Sequence, residues 1–171
     1  SDFLDSDNIP GVLLMAALTP FIMPLIDESQ RSRFEFNTYV YGDSGSGKSA
    51  ITKLLVDYFE GSPNIINLHS NKSEIDKIFE YKHCCVAIDD LCGTDSNRER
   101  ENNEQKLSEN LKRVQTPGQI VRDGKRIKNE SMLFVTGEYL LKSSSTLNRC
   151  LVVNLKDPIP PKEINKLCHN K

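Results

Sequence analysis

With 171 residues, the chain is long enough to bury one substantial core, and 22 Lys and Arg against 24 Asp and Glu leave it with no bulk charge that would advertise a nucleic-acid binder. Its five cysteines are an odd number without framework spacing, which excludes a small disulfide-stapled secreted fold and predicts reduced thiols in a cytoplasmic protein. The apolar stretch over 9–26 is interrupted by Pro10, Pro20 and Pro24 and falls short of the roughly 20 clean apolar residues of a membrane span, so no membrane partner is expected.

In chain order, residues 9–18 predict a buried helix broken at Pro20. Residues 35–41, rich in aromatic and β-branched side chains, predict a strand. Directly behind it, Gly42, Asp43, Ser44, Gly45, Ser46, Gly47, Lys48 and Ser49 fit the pattern G-x-x-x-x-G-K-[ST]. Such a loop turns its backbone N–H groups towards phosphate oxygens. Lys48 is placed to reach the β- and γ-phosphates, and the Ser49 hydroxyl to hold magnesium. Ala50, Ile51, Leu54, Leu55, Tyr58 and Phe59 then recur at helical spacing, predicting a helix over 48–59 whose positive dipole end faces the same anion.

A turn at 61–64 leads to a strand over 64–68, and Asn71 or Ser73 caps a predicted helix over 72–80. Residues 84–89 predict a buried strand that ends in Asp89 and Asp90. In phosphate-loop enzymes the first such carboxylate holds magnesium, and a second can orient or deprotonate an attacking water. Asp89 is therefore the expected metal-side residue and Asp90 the expected base. Cys84 and Cys85, with Cys92, do not read as a zinc site, because neighbouring strand residues face opposite sides. The polar run 97–104 is expected to be a solvated loop ahead of a helix over 104–115.

Asp123-Gly124 between strand-like flanks is a two-residue hairpin signal. Arg122, Lys125, Arg126 and Lys128 concentrate positive charge around its tip, which suits either a solvated surface hairpin or an element that follows a phosphate backbone. Residues 131–136 predict a fourth buried strand, with Thr136 at its end within reach of a γ-phosphate or attacking water and Glu138 nearby. Arg149 immediately precedes a fifth strand over 150–155. Its guanidinium would either pair with a local carboxylate or neutralise a transferring phosphoryl group, from its own subunit or a neighbour.

Strands alternating with helices predict an α/β fold, a mostly parallel five-stranded sheet flanked by helices with a basic hairpin inserted. The phosphate loop, Ile-Asp-Asp, Arg-Asp-Gly-Lys-Arg, Val-Thr-Gly-Glu and Asn-Arg-Cys, in this order, resemble the AAA+ ATPase core, and more narrowly superfamily III and minichromosome-maintenance-like helicases of phage and mobile-element replication proteins. The resemblance implies a DNA helicase motor that uses ATP and magnesium and assembles as a ring, a hexamer, around single-stranded DNA. It further implies Arg149 as an arginine finger on the neighbour's ATP and Thr136 as the γ-phosphate sensor. Lys125 and Arg126 would project into the central channel. Asp90 departs from the family's usual glutamate, and the chain stops before most of the helical lid, so residues 1–171 are expected to be one ATPase core out of a longer protein. A small-molecule P-loop kinase and a nucleotide-switched binding module without turnover are the alternatives.

Overall fold

Five runs of apolar and β-branched residues pair side by side, all in parallel: β1 (Asn37–Tyr41), β2 (Ile65–Asn67), β3 (Lys82–Leu91), β6 (Glu130–Gly137) and β7 (Cys150–Asn154). Their spatial order is β2-β3-β6-β1-β7. This computed structural model describes residues 9–32, 34–60, 65–67, 75–91, 96–115, 120–122 and 124–156. The expected turn at 61–64 and the Asn71 or Ser73 cap lie outside the described residues, as does Cys92. The sheet is the α/β P-loop NTPase arrangement expected of the sequence, and the middles of its central strands are buried because helices cover both faces.

The two faces are filled by different elements, and strand alternation decides which side chain goes where. On one face, Val40, Cys85, Ala87, Phe134 and Val153 pack with Ile9, Leu13, Ala16 and Ala17 of α1 (Ile9–Ile22) and with Ile51 and Val56 of α3 (Lys48–Glu60). On the other, Tyr39, Cys84, Val86, Ile88, Leu133 and Val135 meet Ile78 and Phe79 and Leu107, Leu111 and Val114 of α4 (Asn97–Gln115). Cys84 and Cys85 thus sit on opposite sides of the sheet, as the strand reading requires.

Two expectations are corrected. Residues 97–104 are not a loop: they form the first turns of the 19-residue helix α4. Their charged side chains are good helix formers, and Asn103 and Glu104 are buried on the packed side. Nor does Pro20 break α1, which continues to Ile22 before tightening into a 3-10 turn at Met23–Leu25. The N–H that Pro20 lacks falls near the helix end, and the packing of the buried Thr19 and Pro20 offsets its loss. A short helix, α2 (Glu28–Arg31), is N-capped by Asp27 and leads towards β1. Among the described residues, no helix is long and apolar enough to cross a membrane.

Between α4 and β6, β4 (Ile120–Arg122) and β5 (Lys125–Ile127) form the expected antiparallel hairpin. Arg122 pairs with Lys125 across the turn, and Gly124 has a φ of 73°.

Candidate functional site

β1 delivers the chain to the loop 42–47, which bends back over its own strand end and starts α3. Gly45 and Gly47 have φ of 78° and 89°, a region where a side chain would be strained. Ile51 N–H donates to Gly47 O at 2.9 Å, closing the first helical turn. Lys48 is only 7% exposed. Its ammonium donates to Gly42 O at 2.9 Å, Asp43 O at 2.7 Å and Ser46 Oγ at 3.2 Å, so loop carbonyls fix the cation under the loop's own opening.

The cleft above this loop has a volume of about 310 Å³, and Lys48, Ser49, Asp89, Thr136 and Glu138 all line it. Within it, Ser49 Oγ donates to Asp89 Oδ1 at 2.9 Å, and Thr136 Oγ1 donates to the same oxygen. Residues 40 and 47 positions apart in sequence therefore meet at one carboxylate. The donor set fits magnesium, a hard cation that takes one or two carboxylates and completes its shell with water and substrate phosphates. That chemistry needs no cage of acidic and imidazole ligands, and among the described residues there is none. A larger cleft of about 440 Å³ lies at the opposite end of the strands, lined by Phe34, Lys128 and Arg149 among others, and includes no phosphate-loop residue. Converging chemistry, not size, marks the site.

A frame behind the cleft escaped the sequence reading. Gly137 O accepts from Gly42 N–H at 3.2 Å, Glu138 N–H donates to Leu91 O at 3.1 Å, and Tyr139 O accepts from the Tyr39 hydroxyl at 2.6 Å. Three successive residues are thus tied to the phosphate loop, to the end of β3 and to the core of β1. Arg100 lies over the Tyr139 ring, 5.1 Å from its centroid. The buried Glu104 carboxylate accepts from Lys142 N–H at 2.9 Å and Ser143 N–H at 3.3 Å. Burial pushes the Tyr39 phenol up, with Tyr139 and Glu104 adding to the effect, so it stays a neutral donor. The only sequence signal for this frame was a glutamate within a charged run.

Gly137 has no room for a side chain: an added Cβ would collide with the Tyr39 hydroxyl and stand 2.9 Å from Cζ and 3.1 Å from Leu91 Cδ2. Gly137→Ala should cost about 1–3 kcal/mol in urea denaturation. Adding Tyr39→Phe removes the nearest atom, so the double variant should lose less than the sum of the single changes; simple additivity would show that the two side chains do not compete for this space.

The remaining expected residues divide. Asp90 belongs to β3, which gains one residue on β6 between Ile88 and Leu91, but its side chain lies outside the described part. The side chains of Arg122 and Arg126 lie outside it too, while Lys125 is exposed beside the turn. Lys128 is paired with Glu35 at 2.6 Å. Arg149 stands before the first residue of β7, opposite Asn37, at the end of the sheet away from the phosphate loop. Its guanidinium donates to Ser145 O at 2.5 Å and Ser145 Oγ at 2.9 Å. Roughly 15 Å of strand separates it from the cleft, so it does not serve the phosphates of its own subunit.

Comparison with known proteins follows the same outline. A family model described as Novel STAND NTPase 3 matches residues 37–157. No curated protein matches the chain. Two solved structures share the fold: PCH-2 of C. elegans, with a TM-score of 0.55 and 13% identity over 89% of this chain and 43% of that one, and the JCV helicase, with a TM-score of 0.50 and 14% identity over 91% of this chain and 47% of that one. The chain spans less than half the length of either.

Proposed function

Because the chain belongs to the novel STAND NTPase 3 family, we propose that it binds ATP with magnesium in the cleft above β1 and hydrolyses it. Loop amides and Lys48 take the β- and γ-phosphates, and Thr136 reports whether the γ-phosphate is present. Ser49 and Asp89 would hold the magnesium, which supplies neutralising charge to the phosphates when bound. The observation that carries this reading is the meeting of Ser49 and Thr136 on Asp89 Oδ1, beside the enclosed Lys48 ammonium.

The finer reading is a motor. Residues 1–171 act as one ATPase core of a longer protein, copies join head to tail into a six-membered ring, and Arg149 of one copy completes the cleft of the next. The hairpin cations follow a single DNA strand through the ring, as in a helicase of phage or mobile-element replication. The placement of Arg149, half-buried and too far from its own cleft, supports the ring; exposed Lys125 supports the hairpin contact. The second reading, a nucleotide-switched binding module, is favoured by the Lys128–Glu35 pair, which takes one hairpin cation out of use.

Phosphate release with and without single-stranded DNA separates the two. The motor reading expects DNA to raise the rate severalfold, in a salt-dependent way, and Lys125→Ala to remove most of the rise. A rate indifferent to DNA would remove the motor and leave the switch.

A further inference from the structure

Thr136 has a neighbour in the cleft that carries a carboxylate. Glu138 stands just past the C-terminal end of β6, the strand that lies between β1, which carries the phosphate loop, and β3, which carries Asp89. It therefore enters the cleft from the strand directly between the phosphate-binding and metal-side groups. Its backbone is the middle of the three tethered residues: Gly137 is tied to Gly42, Glu138 to Leu91 and Tyr139 to Tyr39. The loop beyond is held by Glu104 through Lys142 and Ser143. The segment is thus braced from the phosphate loop, β3, β1 and α4, and bracing of this kind is what a group acting on a reacting atom requires.

Resting on the hydrolysis reading above, we propose that Glu138 is the general base for the attacking water. The water oxygen forms its bond to the γ-phosphorus as the water proton passes to a Glu138 carboxylate oxygen. The bond from the γ-phosphorus to the β–γ bridging oxygen breaks, and its electron pair leaves with ADP. Glu138 then returns the proton to the phosphate product or to solvent. Glu138 has a side chain one methylene longer than that of Asp90, and it is carried into the cleft from the end of the central strand β6. The frame around residues 137–139 fixes the backbone from which it extends.

The test compares Glu138→Gln, Glu138→Asp and Asp90→Asn in the intact protein. ATP affinity is read with a fluorescent ATP analogue, and turnover by phosphate release across pH. Glu138→Gln should lower kcat by about a hundredfold or more with analogue affinity unchanged. It should also abolish the acid limb of the kcat–pH profile, the limb on which a base is lost by protonation. Asp90→Asn should cause the smaller fall. A purely structural Glu138 would lower affinity or stability and leave the acid limb in the residual rate, and that result overturns the proposal. So does a larger fall from Asp90→Asn than from Glu138→Gln. If Glu138→Gln loses the analogue, Glu138→Asp decides: retained affinity with kcat reduced about tenfold supports the base, and an undiminished kcat rejects it. Nucleotide binding without turnover in the unaltered protein also rejects it, while leaving the binding site standing; failure to bind the analogue at all would remove the site itself.

Discussion

Lys48→Ala is expected to lower kcat/KM for ATP by about a thousandfold, the scale of losing a preorganised charge that faces the transferring phosphoryl group. The reason lies in how the ammonium is held. Three loop oxygens, Gly42 O, Asp43 O and Ser46 Oγ, take its protons at 2.7–3.2 Å and leave it 7% exposed. An alanine deletes the charge and leaves those acceptors unpartnered in a confined place, so the loop also loses the cation it wraps. Lys48→Arg should rescue little, because a planar five-donor fork cannot occupy a pocket shaped around a point charge. Fold stability should change by only about 1 kcal/mol, since the loop lies at the rim of the two cores and not inside either. Analogue titration and phosphate release, with urea denaturation as the control, read all three quantities. Unchanged affinity and turnover in Lys48→Ala would remove the nucleotide reading altogether.

What the sequence disclosed was whatever depends on near neighbours in the chain. The phosphate loop is eight consecutive residues between the strand β1 and the first turn of α3, and two of its glycines take the positive φ such a turn needs. The alternating faces of β3 follow from strand periodicity alone, which is why Cys84 and Cys85 could be separated without coordinates. The hairpin of β4 and β5 was legible for the same local reason. Of helix α4, residues 104–115 were legible but the first turns were not, because they carry few apolar residues to mark a buried face. There the buried groups are Asn103 and Glu104, and a buried glutamate resembles any other charge until the amides of Lys142 and Ser143 come into view. The tether from Tyr39 to Tyr139 spans 100 positions and leaves no periodic trace. Arg149 was visible as a candidate, but its distance from its own cleft depends on β7 running parallel to β1, a fact of pairing.

Asp89→Asn should be the second large loss, about a thousandfold in kcat, with more magnesium needed for half-maximal rate. The substitution is informative because it preserves so much. An amide oxygen at the same place still accepts from Ser49 and Thr136, so the hydrogen bonds that join α3, β3 and β6 at this point can survive. What disappears is the negative charge. A carboxylate accepting two hydroxyl donors can also face a divalent cation, whereas a neutral amide is a far poorer ligand for one. Stability should therefore stay within about 1 kcal/mol while the magnesium dependence moves to higher concentration. Ser49→Ala makes the complementary test: it removes the other oxygen of the pair and should shift the magnesium requirement in the same direction while keeping the carboxylate. If Asp89→Asn lowers the rate but leaves the magnesium requirement where it was, Asp89 is a strut between strands and the metal is held elsewhere. If both variants shift it, the shared oxygen at the head of β3 is where substrate charge is balanced. Thr136, donating to that same oxygen, would then be the group through which a change at the phosphates is felt along β6.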